Sequence, residues 1–77
     1  MAIKVKFFAS LREQLPRAVD AVEPDGLEII ADVWARATDG QRMPEHVLCS
    51  VNLEHRSAND PVADGDEVAF FPPVTGG

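Results

Sequence analysis

Apolar and polar residues alternate near both ends of this chain, and between them apolar residues recur at helical spacing. Ile3, Val5 and Phe7 alternate with Lys4 and Lys6, which predicts a first strand with one apolar face. Phe8 falls on the lysine side, where a large aromatic gains nothing unless something covers it. Ser10-Leu11-Arg12-Glu13 has capping-box spacing and predicts a short helix, with Leu11 and Leu15 on one face and Pro16 after it. Residues 17–22 read as a second strand and residues 23–26 as a loop. Asp25 is placed to cap a main helix. Along it Leu27, Ile30, Ala31, Trp34 and Ala37 form an apolar stripe opposite Glu28, Asp32 and Arg36. Val33 flanks the stripe, and Ile29 reads as a stray exposed apolar residue. Trp34 reads as a core plug, and Gly40 as the left-handed residue that ends the helix.

Residues 38–46 form a polar loop containing Gly40 and Pro44. Val47, Cys49, Val51 and Leu53 then alternate with Leu48, Ser50 and Asn52, predicting a third strand that runs into a turn-prone region at Asn52. Residues 54–56 suit a short edge strand, and residues 57–60 a loop or one helical turn before Pro61. Asp64-Gly65 is a tight-turn signal. Val68 and Phe70 alternate with Ala69 and Phe71 in a closing strand, where Phe71 is a second outward aromatic. This order predicts an α+β domain in which one main helix lies across a small mixed sheet.

At 77 residues the chain is one domain, of a size that buries only about 60% of the unfolded surface. No apolar run is long enough to cross a membrane, and the residues around Lys4 and Lys6 do not form a signal peptide; both favour the cytoplasm. Thirteen acidic against seven basic residues give a net charge of −6, which disfavours nucleic acid and anionic lipid as partners. That charge serves either solubility or a charge-complementary protein partner.

Little of the chemistry-bearing inventory is arranged as a site. Cys49, the only cysteine, lies in a strand pattern without a nearby base and reads as a buried structural thiol. His46 and His55 lack metal-pair spacing, and Asp64, Asp66 and Glu67 read as solvated turn charge, so no metal is expected. No glycine-rich phosphate loop is present, so nucleotide chemistry must come from a partner. The last residues stand apart. Pro72 and Pro73 lack the N–H groups a strand needs and favour an extended tail, Pro72 to Gly77, able to reach roughly 20 Å beyond the sheet. Gly76 and Gly77 have no Cβ atoms, so the tip fits a narrow channel. The working group of such a tip is its carboxylate, and a carboxylate needs activation by another enzyme.

The run Asp64-Gly65-Asp66-Glu67-Val68-Ala69-Phe70-Phe71-Pro72-Pro73-Val74-Thr75-Gly76-Gly77 resembles the C-terminal signature of the small, sulfur-carrying subunits of molybdopterin synthase. Residues 3–9 with Arg12-Glu13, and Val51-Asn52, are similar to the same family. The resemblance implies a ubiquitin-like β-grasp over residues 1–71 with a projecting tail over 72–77. Its first and last strands would be parallel neighbours, so that Phe8 and Phe71 could lie side by side and bind a partner. It further implies that an ATP-dependent enzyme adenylates Gly77, and that a sulfur donor protein converts it to a thiocarboxylate. Pro72, Pro73, Val74, Thr75 and Gly76 would then carry it into the large synthase subunit, where the sulfur passes to a pterin precursor. The chain would bind no cofactor, supply no catalytic side chain and use ATP only through the activating partner. Gly76-Gly77 is shared with carriers for thiamine thiazole synthesis and with ubiquitin-like protein modifiers. Phe71-Pro72-Pro73-Val74-Thr75 favours the molybdopterin branch. A binding module with a disordered tail is the remaining alternative.

Overall fold

Parallel pairing of the first and last strands sets the frame. The computed structural model describes residues 2–15, 19–44 and 46–72, with Gln14 as backbone alone. The elements are β1 (Ile3–Phe7), α1 (Ser10–Gln14), β2 (Ala21–Val22), α2 (Ile30–Ala37), β3 (Leu48–Val51), β4 (Glu54–Arg56) and β5 (Glu67–Phe71). Among the described residues the strands form one sheet of five in the order β2-β1-β5-β3-β4. β1 and β5 are parallel, with Val5 opposite Val68 and Phe7 opposite Phe70; the other pairings are antiparallel.

Strand periodicity sorts the side chains as the sequence requires. Ile3, Val5, Phe7, Val68, Phe70, Cys49 and Val51 form one buried cluster with Ile30, Val33, Trp34 and Ala37 of α2. Trp34 is its centre. Its ring meets Phe70 edge-on at 4.9 Å and Phe7 at 5.5 Å, and its Nε1–H donates to the Gln41 carbonyl at 2.9 Å. Val33, expected at the flank, is fully buried within the stripe.

Helix starts depart from the sequence reading. Ser10 is the first residue of α1 rather than its cap; Ala9 precedes it, and no side-chain hydrogen bond caps this helix among the described residues. α2 begins at Ile30, later than expected, and Asp25 does not cap it. Asp25 lies instead in a turn with Gly26, where Leu27 N–H donates to the Pro24 carbonyl at 3.0 Å. The carboxylate at the helix start is that of Asp32, which accepts the N–H groups of Glu28 at 3.0 Å and Ile29 at 3.1 Å. These bonds, with a smaller contribution from Arg36, hold the Asp32 carboxyl below the ordinary carboxylate range. The N–H groups of Ile30 and Ala31 donate to the carbonyls of Asp60 and Ala58 at 3.0 and 2.9 Å. A remote loop therefore decides where the helix begins. Ile29 is not a stray residue, because it is half-buried and bridges Pro61.

At the other end of α2 the Gly40 N–H donates to the Ala35 carbonyl at 2.8 Å, with Gly40 at φ +83°. Asp39, at φ 57°, also takes a left-handed conformation, so two residues share the reversal assigned to glycine alone. The second strand is shorter than expected: residues 16–18 lie outside the described set, and pairing covers Ala21 and Val22. Leu53 does not continue β3 inward. The pairing of Val51 with Glu54 leaves Asn52 and Leu53, at φ 51° and 72°, as a two-residue hairpin loop of I′ type. Leu53 is consequently 89% exposed.

Candidate functional site

The outer sheet face gathers apolar residues where β5 ends. Phe8 N–H donates to the Phe70 carbonyl at 3.1 Å, extending the parallel register one step beyond Phe7 and Phe70. Phe8 and Phe71 therefore leave the sheet on the same side. Their rings stack with centroids 4.8 Å apart and planes 3° apart. Phe8 is 42% exposed and Phe71 half-buried, so the pair forms a surface shelf rather than a second core.

A third member went unread in the sequence. Leu48 lies directly opposite Phe71 across the β3–β5 ladder and is 38% exposed. Its signal is the same as that of Phe8: an apolar residue on the side of an alternating strand otherwise held by Ser50 and Asn52. Ala69 and Ser50 pair next to this patch, both small and both buried. Lys4 and Lys6 extend along β1 on the same face, with Lys6 Nζ 3.6 Å from Glu67 Oε2. The patch thus has an apolar end and a charged end.

Asp66, just before β5, helps fix the strand that carries Phe71. Asp66 N–H donates to the Ala63 carbonyl at 3.1 Å, closing a turn through Asp64 and Gly65 with Gly65 at φ +92°. Asp66 Oδ2 accepts the Ala63 N–H at 2.8 Å, and Oδ1 accepts from Asn52 Nδ2 at 3.0 Å. Asn52 also donates its main-chain N–H to the Glu67 carbonyl at 2.8 Å and accepts the Glu67 N–H on Oδ1 at 3.0 Å. β5 is held at its start and ends at Phe71, with Pro72 outside the strand. Pro73, Val74, Thr75, Gly76 and Gly77 lie outside the described residues.

The remaining candidates are dispersed. Cys49 is buried in β3, and burial pushes its thiol up, away from the reactive thiolate form. His46 is an exposed turn residue and His55 lies exposed on β4. Among the described residues no three His, Cys, Asp or Glu side chains converge as a metal site, and no helix is long and apolar enough to cross a membrane.

Known proteins agree with this geometry. The chain matches the ThiS family over residues 5–77. It is 40% identical to the molybdopterin synthase sulfur carrier subunit of Escherichia coli, covering 97% of this chain and 99% of that one. It is 34% identical to the subunit of the same name from Haemophilus influenzae, with the same coverage. Among solved structures, SAMP1 from Haloferax volcanii superposes over the whole of both chains with a TM-score of 0.74 and 29% identity. A further crystal structure of the H. volcanii small archaeal modifier protein 1 gives 0.73 at 28% identity, over 95% of this chain and 98% of that one. The arrangement of one helix across a sheet with parallel central strands is the ubiquitin-like β-grasp that the sequence resemblance implied.

Proposed function

Because the chain belongs to the ThiS family, we infer that it is a molybdopterin synthase sulfur carrier subunit, acting in molybdenum cofactor biosynthesis. Likeness along nearly the whole of both chains to two such subunits carries this reading. Its principal partner is the large subunit of that synthase. The apolar shelf of Phe8 and Phe71, extended by Leu48, is the surface we assign to that contact, and its exposure supports the assignment.

The reacting residue in this proposal is Gly77, and the chemistry begins outside the chain. A carboxylate resists nucleophiles because its charge is delocalised and oxide is a poor leaving group. An ATP-dependent adenylating enzyme joins the Gly77 carboxylate to AMP and expels pyrophosphate. Sulfur supplied at the sulfide level by a donor protein then displaces AMP, leaving a thiocarboxylate. Its sulfur bonds to the pterin precursor inside the large subunit with loss of an oxygen substituent there, and water cleaves the resulting thioester and returns the Gly77 carboxylate. The chain itself contributes reach, slimness and placement: residues 1–71 dock, and residues 72–77 deliver. It needs no bound cofactor, and ATP belongs to the activating partner. In this proposal the chain works in the cytoplasm with those enzymes.

The likeness to small archaeal modifier protein 1 favours a second reading, in which the same terminus forms an amide with a lysine of another protein. Incubation with adenylating enzyme, ATP and a sulfur source, followed by intact-mass measurement, separates the two. A carrier exchanges one oxygen for sulfur in its C-terminal peptide. A modifier appears in larger covalent adducts, and an unchanged mass under loading conditions removes the carrier reading.

A further inference from the structure

β4 forms one edge of the sheet among the described residues, and the ladder fixes which of its main-chain groups stay free. The Asn52 N–H turns toward β5, where it meets the Glu67 carbonyl at 2.8 Å. Alternation then turns the main-chain groups of Val51 and Cys49 toward β4, onto Glu54 and Arg56, their partners in the register. The N–H and carbonyl of His55, between those two, therefore face away from β3 into the open edge. Glu54 and Arg56 flank His55 with Oε1 and Nη2 3.0 Å apart and both side chains well exposed. Leu53 precedes them in the hairpin loop and is the most exposed large apolar residue among those described.

We propose that this edge pairs with the same edge of a second copy of the chain, antiparallel about a two-fold axis at His55. That axis accounts for three features together. Each His55 donates its N–H to the carbonyl of the other, satisfying the two groups that β3 leaves free. Glu54 of each copy falls opposite Arg56 of the other, in the close pairing where side chains approach best. Leu53 of each copy comes to lie beside the segment that follows Arg56 in the other, which covers it. Charge on an edge strand usually blocks pairing, because like charges meet. Here opposite charges stand symmetrically about His55, so an antiparallel mate always presents the opposite sign. The internal Glu54–Arg56 contact is exchanged for two contacts between copies, so the charges set register more than affinity. The pairing is short, since the loop ends it on one side and the Ser57 N–H is already held by Asp60 Oδ2 at 2.8 Å on the other. Phe8 and Phe71, in β1 and β5, stay uncovered, so the inference stands apart from the sulfur-carrier reading.

Sedimentation of the full chain over a range of concentrations tests this, with circular dichroism to confirm that each variant folds. The chain should dimerise with a dissociation constant on the order of 10⁻⁴ M, in the weak class of small interfaces. Glu54→Arg and Arg56→Glu should each weaken the dimer about fivefold or more, by setting like charges opposite one another. The double variant Glu54→Arg/Arg56→Glu should return to within about twofold of the unsubstituted chain, because the charges are again complementary. Phe71→Ala should leave the dimer unchanged. A chain that stays monomeric at millimolar concentration overturns the proposal. So does a double variant as weak as the single ones, or a dimer lost with Phe71→Ala, which would place the contact on the shelf.

Discussion

Asn52 grips Glu67 at both main-chain groups, donating to its carbonyl at 2.8 Å and accepting its N–H on Oδ1 at 3.0 Å. Asn52 does this from a left-handed conformation, φ 51°, which asparagine tolerates better than most residues. Asn52→Ala keeps the main-chain bond but removes the two side-chain bonds, with the Glu67 N–H and the Asp66 carboxylate, and adds strain, and should cost about 2 kcal/mol in urea unfolding. Asn52→Gly loses the bonds without the strain and should fall between the two. Equal stability of all three chains would contradict this account.

Phe71→Ala should weaken the complex with the large subunit by more than about 2 kcal/mol while leaving the fold largely intact. Leu48→Ser should act in the same direction with a smaller effect, since Leu48 flanks the shelf from β3. Calorimetric titration measures both, and circular dichroism checks the fold. Variants that unfold before they lose their partner would move Phe71 from the surface to the core.

Gly40→Ala should lower stability by roughly 1 kcal/mol through conformation alone. A Cβ there meets nothing within 4 Å, while φ stays at +83°. Gly76→Ala, which lies beyond the strand that closes the core, should leave the melting temperature unchanged and impair sulfur delivery. Comparable melting shifts for the two would end this division of roles.

Asp32 accepts two main-chain N–H bonds at the start of α2, and its folded carboxyl titrates below the unfolded one. Its stabilisation is therefore present above the unfolded value and lost as pH falls through the folded value. Asp32→Asn should be less stable near neutral pH and show a shallower loss of stability on acidification. Parallel pH curves for the two chains would show that the bonds contribute nothing.

One residue added after Gly77 should abolish sulfur transfer, because it shifts the reacting carboxylate by roughly 3.5 Å in both partner enzymes. Mass spectrometry of the loaded chain and assay of pterin product test this together. Transfer from an extended chain that has not been trimmed would exclude Gly77 as the reacting residue.

Local pattern made the strands readable and left the helix boundary obscure. β1 follows from strict alternation and β5 from Val68 and Phe70 on one face, although Ala69 between them is buried too, and Phe8 and Phe71 announce themselves as aromatics on the opposite side. Leu48 carries the same mark and could have been read. Asp25 looked like a cap because capping signals are local, whereas the first N–H groups of α2 are met by Ala58 and Asp60. Leu53 misled because alternation does not reveal that an I′ turn removes two residues from the strand. The bend at Ala9, at φ 52° and ψ −131° just before α1, had no sequence signal, since the residue expected in that conformation is glycine.

The shelf unites residues from opposite ends of the chain, so recognition through it, as proposed, would be conditional on complete folding. Phe8 is synthesised early, but its neighbour arrives only when β5 slots between β1 and β3. A nascent or partly folded chain can display one ring and never the stacked pair. A slip of one residue in the β1–β5 register would turn Phe70 outward and Phe71 into the core. On the proposed docking role, the shelf would admit to sulfur transfer only molecules whose last strand has found its place.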